Sequence, residues 1–306
     1  MVGLGDIARK AYLPVLATRP DVELHLVTRD AGVLAELGER WRIAGRHADM
    51  ASALATTCFD AAFIHAATSA HPTLVAQALE AGLGVLVDKP LADNLSEAAR
   101  LVEIAKGARV PLMVGFNRRY APAYAALRDR PRSLVQMTKN RKRLLHPARR
   151  TVFDDFIHVV DTLRFLAPVP VEVAGVETVM RDGLLEAVLL TLRSFGAGAS
   201  LDAGFRATGA MHRNAGLDRE QVDAMGGGST LSVRDMADVV DEDGAECRVR
   251  RGDWTSVERQ RGFTGLCDAF LDAIRSGATM AMDDMLETHR ICEAIVFQAE
   301  DQDACY

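Results

Sequence analysis

At 306 residues, with 49% hydrophobic and 25% charged positions, the chain has the size and composition of a soluble protein with room for two cores. A net charge of -6 excludes the strongly basic surface that nucleic-acid binding through phosphates requires. No apolar run reaches membrane-spanning length, no basic start leads into an apolar leader core, and the five cysteines (Cys58, Cys247, Cys267, Cys292 and Cys305) lack metal-ligand spacing, so a reduced, cytoplasmic protein without structural metal is expected.

The chain opens Met-Val-Gly-Leu-Gly-Asp-Ile-Ala, and Gly3, Gly5 and Ala8 fit the G-x-G-x-x-A form of the dinucleotide fingerprint. Gly3 permits the tight turn, Gly5 lets backbone approach a pyrophosphate, and Ala8 allows close helix–strand packing. Phosphate is expected on the N–H groups of a helix starting near Asp6. Only Met1 and Val2 precede Gly3, where a whole strand is expected. The start therefore reads as called several codons late, and weak cofactor binding is expected of the chain as written.

Residues 7–18 read as a helix interrupted at Pro14. Residues 22–27 alternate as a strand and run into Thr28-Arg29-Asp30. A hydroxyl and an arginine at that strand end suit the 2′-phosphate of NADP better than the bare ribose of NAD, the alternative being a solvated turn with Asp30 as a cap. A helix (31–40) and a short connection lead to a buried-type strand (60–67), then Thr68-Ser69-Ala70-His71-Pro72 starts a helix that stops at Gly82. A strand (85–87), the tripeptide Asp88-Lys89-Pro90, a helix (95–106) and a strand (111–115) follow. This alternation predicts a parallel, doubly wound sheet, in which ligands bind at the carboxyl ends of the strands. Gly3, Thr28, Ala67, Lys89 and Asn117 all fall at such ends.

In the second half, residues 133–143 alternate as a strand on which Lys139 and Arg141 share a face. That face either binds a carboxylate or phosphate of a substrate or is simply solvated, along with the basic run to Arg150. Residues 154–166 read as an amphipathic helix with Asp154, His158 and Asp161 at i, i+4 and i+7, on one side. A histidine between two acids on one stripe is a candidate for proton transfer, while Asp154 also suits a helix N-terminus. Residues 171–179, 184–192, 197–205, 229–233 and 246–251 read as strands, with a turn at Asp182-Gly183. Gly226-Gly227-Gly228 is a connection, since no helix follows it, and Met211-His212-Arg213 follows the fourth strand of this half, where His212 or Arg213 can reach a substrate. Trp254 is expected to pack, and residues 264–274 and 282–302 to close the chain as helices.

Five pieces carry a family resemblance: Gly3-Leu4-Gly5-Asp6-Ile7-Ala8, Val87-Asp88-Lys89-Pro90-Leu91-Ala92, Gly115-Phe116-Asn117-Arg118-Arg119-Tyr120, Asp154-Asp155-Phe156-Ile157-His158-Val159-Val160-Asp161-Thr162 and Met211-His212-Arg213. In order and spacing they resemble the Gfo/Idh/MocA oxidoreductases, and among these most of all the MviM-like oxidoreductases, homologues of the virulence factor MviM. The resemblance implies an α/β protein. Residues 1–116 would form a Rossmann-type NAD(P)-binding domain, and 117–306 a substrate and dimerisation domain with an open, mostly antiparallel sheet. It implies Lys89, Asp154 and His158 as the catalytic set. Gly3, Gly5, Asp6, Ile7, Ala8, Thr28, Arg29, Ala67, Thr68, His71, Asp88, Lys89, Asn117 and Arg118 are expected at the cofactor, and Lys139, Arg141, Asp161 and His212 at the substrate. Two departures stand out: Asp88 where the family usually has glutamate, and Arg149-Arg150-Thr151-Val152-Phe153 in place of a glycine run.

The expected activity is hydride transfer with NAD(P), NADP favoured over NAD, between a secondary alcohol and a ketone on a sugar, cyclitol or related polyol. An alcohol must lose a proton as its carbon loses hydride. His158 can take or give that proton, and Lys89 can stabilise the charge that develops on oxygen. Asp154 would orient the imidazole, and Asn117 and Arg118 would position cofactor or substrate. The alternative is a non-catalytic, cofactor-binding sensor or regulator of the same fold. A homo-oligomer, dimer or larger, is expected, with no metal and no nucleic-acid or membrane partner.

Overall fold

Short apolar runs bounded by glycine or proline make the strands of the N-terminal half: β1 (His25–Val27), β2 (Gly45–His47), β3 (Ala61–Ile64), β4 (Gly84–Val87) and β5 (Leu112–Val114). The computed structural model describes residues 1–194, 204–243, 245–249, 252, 254–278 and 280–304, and resolves the chain into two units. In the first unit β1 pairs with β2, β3 with β4 and β4 with β5, all parallel. Every position of β4 and β5 is buried, the pattern of a parallel sheet covered on both faces. Val2 joins the two ladders, bridging in parallel to Val27 and to Ile64. Its N–H donates to the Phe63 carbonyl at 2.7 Å, its carbonyl accepts from His65 at 2.7 Å, and the Gly3 N–H donates to Val27 at 3.0 Å.

A π-helical turn (Ala8–Tyr12) leads into α1 (Leu13–Leu16), so the irregularity lies before Pro14, and the helix runs through Pro14 rather than being interrupted there as expected. The helices α2 (Ala31–Trp41), α3 (Met50–Thr56), α4 (His71–Glu80) and α5 (Leu95–Ala108) follow, with Asp30, Asp49 and Asn94 capping α2, α3 and α5. The sequence reading passes over β2 and α3 as a short connection. Gly45-Arg46-His47 carries no apolar alternation, and α3 announces itself only through the reciprocal Asp49–Ser52 capping box.

The second unit contains α6 (Pro122–Arg128), β6 (Leu134–Asn140), α7 (Ala148–Thr151), a π-helical turn (Val152–Phe156) and α8 (Ile157–Leu166). The strands β7 (Val171–Arg181), β8 (Leu184–Ser194), β9 (Arg206–His212), β10 (Arg219–Gly226), β11 (Ser229–Arg234), β12 (Asp238–Glu242) and β13 (Glu246–Val249) complete an eight-stranded sheet with β6. Its order is β13-β12-β11-β10-β6-β9-β8-β7, antiparallel throughout except between β6 and β9. The helix α8 lies close against this sheet: a Cβ on Gly209 would stand 2.5 Å from Val159 Cγ1. Two hairpins turn on pairs with positive φ, Asp182-Gly183 (52° and 72°) and Gly227-Gly228 (61° and 86°), the backbone of tight two-residue loops.

Residues 197–203 of the strand expected at 197–205 lie outside the described residues, as do 250 and 251 of the strand expected at 246–251, and β9 follows at 206–212. The strands β10 and β12 were not expected at all, because charged residues interrupt their apolar alternation. Trp254 does not pack: it is 98% exposed. After α9 (Val257–Gln260), the helix α10 (Phe263–Ser276) belongs to the first unit, where Phe270 meets Phe63 edge-on at 5.2 Å. The final helix is α11 (Met282–Ala304), and among the described residues no helix is long and apolar enough to cross a membrane.

Candidate functional site

The glycine turn is built for a close approach. Gly3 has φ of 82°, and a Cβ there would stand 2.6 Å from the Ala66 nitrogen, so a side chain is doubly excluded. A Cβ on Gly5 would meet nothing within 4 Å, so packing alone does not demand glycine there, and the space above it is open. Helical backbone begins at Asp6, with the Arg9 N–H donating to Gly5 at 3.0 Å. The N–H groups of that first turn have no carbonyl one turn earlier, and the helix dipole favours an anion beside them. Asp6 turns its carboxylate to Lys10 at 2.6 Å, Ile7 is 39% exposed, and Ala8 is buried. Thr28 and Arg29 follow β1, Thr28 half-buried and Arg29 exposed, while Asp30 caps α2 through the Val33 N–H. Ala67, exposed, and Thr68, half-buried, continue from β3. These residues could hold a dinucleotide, whose pyrophosphate would be taken by the glycine turn and the N–H groups of the first helical turn.

Other expected cofactor residues are engaged by the protein itself. The Asp88 carboxylate accepts from the Tyr12 hydroxyl at 2.9 Å and pairs with His65 Nδ1 at 3.0 Å. Burial opposes its ionisation, but His65 and the Tyr12 hydrogen bond outweigh that and hold its pKa below the ordinary value. His71 is buried, with Nδ1 2.7 Å from the Pro90 carbonyl and Nε2 3.0 Å from that of Ala66. Burial lowers its pKa, against the pull of the two carbonyls and Asp88. Both side chains therefore brace the Asp88-Lys89-Pro90 turn, while Lys89 is half-buried. Asn117 is buried just past β5, its N–H donating to Gly115 at 2.9 Å.

In the second unit the helix that carries Asp154 and His158 starts earlier than expected, at Ala148, and widens through the π turn. Between Thr151 and Leu163 every residue is buried except Asp154 and His158, which are half-buried. The Asp154 carboxylate lies 3.6 Å from Arg150. Asp161, expected on the same stripe, is instead buried, accepting from Arg119 at 2.6 Å and from Thr288 at 3.3 Å.

Lys139 and Arg141 do share a face, but that face is turned into an ionic core. Lys139 is 3% exposed, with Nζ 3.0 Å from Glu220 and 3.3 Å from Asp155. Arg141 binds Asp155 at 2.7 Å and 2.9 Å, and the buried Arg213 reaches Asp155 at 2.5 Å. Arg118, expected at the cofactor, forks onto Glu220, which also accepts from Tyr124 at 2.7 Å. Burial and the Arg118 charge push Lys139 down to about 8, against the pull of the two carboxylates. Burial resists ionisation of Asp155 and Glu220, yet the surrounding cations and hydrogen bonds win and hold both well below their usual range. His212 is exposed, its Nδ1 accepting from the Asn214 N–H at 3.1 Å.

Sequence reasoning missed Tyr12, His65, Asp155, Glu220 and Tyr124. The one available signal was the Asp154-Asp155 doublet, in which two adjacent acids on a helix must face different ways. Among the described residues no cluster of histidine, cysteine or carboxylate side chains is arranged to hold a metal.

Known proteins match both halves of the chain. The Gfo/Idh/MocA model, described as an oxidoreductase family with an NAD-binding Rossmann fold, matches residues 1–116, and a YceM-like C-terminal domain matches 122–244. YceM of Salmonella typhimurium is 36% identical over 310 residues, 96% of this chain and 95% of its own. The chain belongs to the Gfo/Idh/MocA oxidoreductase family. A Gfo/Idh/MocA oxidoreductase from Vibrio cholerae superposes with a TM-score of 0.89 at 33% identity over 99% of this chain and 98% of its own. The MviM dehydrogenase from Clostridium difficile does so at 0.88 and 28%, over 97% and 98%. Myo-inositol dehydrogenase Hyg17 of Streptomyces leeuwenhoekii is 40% identical over 108 residues, 35% of this Gfo/Idh/MocA chain and 33% of its own.

Proposed function

We propose that the chain is an NAD(P)-dependent dehydrogenase or reductase that interconverts a secondary alcohol and a ketone on a sugar, cyclitol or related polyol. The observation that carries this reading is the exposure pattern of the helix: Asp154 and His158 alone are accessible in an otherwise buried run. A polar pair left open where every neighbour is buried suits work on a ligand. Membership of an oxidoreductase family supports the chemistry, and the inositol dehydrogenase named above supports a polyol.

The nicotinamide, when bound, supplies the acceptor or donor of hydride. His158 takes the hydroxyl proton during oxidation and returns it during reduction. Asp154 orients the imidazole or holds a neighbouring hydroxyl, and Lys89 stabilises negative charge on the reacting oxygen. Gly3, Gly5 and the first helical turn hold the pyrophosphate. Thr28 and Arg29 favour NADP, since an exposed guanidinium suits a 2′-phosphate. A homo-oligomer and a cytoplasmic location complete the proposal, the latter supported by Cys58, Cys247, Cys267 and Cys292 all being free thiols.

Titration of the purified protein with NADPH and NADH, followed by screening myo-inositol and a panel of sugars with the preferred cofactor, tests this reading. Substrate-dependent change in nicotinamide absorbance supports it. Cofactor binding without turnover across the panel would favour the sensor.

A further inference from the structure

We propose that Tyr12 and His65 are positioning residues for Lys89. By holding both oxygens of the Asp88 carboxylate they fix the Asp88-Lys89-Pro90 turn in the arrangement that presents the Lys89 ammonium to a substrate oxygen. The inference rests on the proposed role of Lys89 in polarising that oxygen.

Residues from four separate elements converge on this carboxylate. Tyr12 ends the π-helical turn, His65 follows β3, Asp88 follows β4 and Gly115 follows β5. Each carboxylate oxygen has its own donor, Tyr12 for Oδ1 at 2.9 Å and His65 Nδ1 for Oδ2 at 3.0 Å. Tyr12 is fully buried, its ring 3.9 Å from the His65 ring and 5.2 Å from that of Phe263, so its hydroxyl has little freedom. His65 Nδ1 faces the Asp88 carboxylate, which only accepts, so Nδ1 carries the proton between them, and Nε2 has no partner among the described residues. A Cβ on Gly115 would stand 3.0 Å from the Tyr12 hydroxyl and 3.2 Å from Asp88 Oδ1, so only a residue without a side chain leaves the pair undisturbed.

The far side of the turn is held as well, by His71 Nδ1 at 2.7 Å from the Pro90 carbonyl. Lys89 thus sits between two braced neighbours. A tyrosine hydroxyl, an imidazole and a carboxylate are costly to bury, and a purely apolar contact would secure the same strand ends at less expense. Aspartate also has one torsion fewer than glutamate, so fixing its two oxygens fixes the backbone of the turn more closely.

The test compares Tyr12→Phe, His65→Leu, His65→Asn and Lys89→Met in the full chain. It reads hydrogen–deuterium exchange of residues 84–92, the dissociation constant for NADPH, and turnover of myo-inositol or of whichever sugar in the panel the wild type oxidises. Exchange of 84–92 is expected to rise about tenfold or more in Tyr12→Phe and His65→Leu, the scale of one hydrogen bond to a charged group. His65→Asn, which keeps a donor near the Nδ1 position, should remain close to wild type. NADPH affinity and KM should hold within about twofold while kcat falls about tenfold. Unchanged exchange in 84–92, or faster exchange spread across the whole first unit, would overturn the inference. Loss of turnover in Lys89→Met with full kcat in Tyr12→Phe and His65→Leu overturns the inference alone. Full turnover in Lys89→Met overturns the role of Lys89 itself.

Discussion

Arg118 and Glu220 meet as a two-point fork, Nε to Oε1 at 2.8 Å and Nη2 to Oε2 at 2.6 Å, with both side chains 7% exposed. Lys139 and Tyr124 donate to the same carboxylate, so Glu220 is the acceptor for three buried donors. Removing its charge while keeping its shape leaves Arg118 and Lys139 buried beside a neutral amide. Glu220→Gln should therefore cost about 3–5 kcal/mol, the range for breaking one side of a buried ion pair. Urea unfolding monitored by circular dichroism measures it, and a change under about 1 kcal/mol would show that the cluster contributes little.

Asp155 and Glu220 also set how the fold responds to acid. Their folded pKa values lie below the ordinary 3.8 and 4.5. The unfolded chain thus binds protons first as pH falls. The stability these groups contribute is complete above those ordinary values and drains away below them, toward the depressed folded ones. Wild type should lose stability between about pH 5 and pH 3, and Asp155→Asn should flatten that slope while lowering stability at neutral pH. Equal slopes in the two proteins would contradict the assignment.

Gly3 and Gly5 belong to one motif but answer to different constraints. Gly3→Ala must adopt a φ of 82° and place its methyl 2.6 Å from the Ala66 nitrogen, and a loss of about 2 kcal/mol or more is expected. Gly5→Ala meets nothing within 4 Å, so stability should stay within about 0.5 kcal/mol. NADPH affinity should nevertheless fall about tenfold or more, because the methyl occupies the space assigned to pyrophosphate. Paired thermal melts and NADPH titrations separate the two effects.

The parts of the fold legible in the sequence are those set by local pattern. Short apolar runs between turn residues, such as Gly84–Val87, read as buried strands, and Asp30 and Asn94 mark where helices begin. What stayed hidden depends on partners far away in the chain. In β10, Arg219–Gly226, Glu220 takes an inward position where alternation calls for an apolar residue, and Arg118, 102 positions distant, makes that possible. Tyr12 reads as one more apolar residue in a helix until Asp88, 76 positions on, takes its hydroxyl. Lys139 and Arg141 show the same limit from the other side: their shared face was legible, and the carboxylates that neutralise it were not. Lys89, Asp154 and His158 each sit in a short motif with its own spacing, which is why the sequence alone is enough to propose them.

The most direct measurement is the steady-state rate of NADP reduction by wild type and His158→Ala, on the first polyol or sugar that the wild type oxidises. With His158 as the proton acceptor, kcat should fall about a hundredfold or more while NADPH binding holds. A His158→Ala protein that turns over at the full wild-type rate would contradict the account.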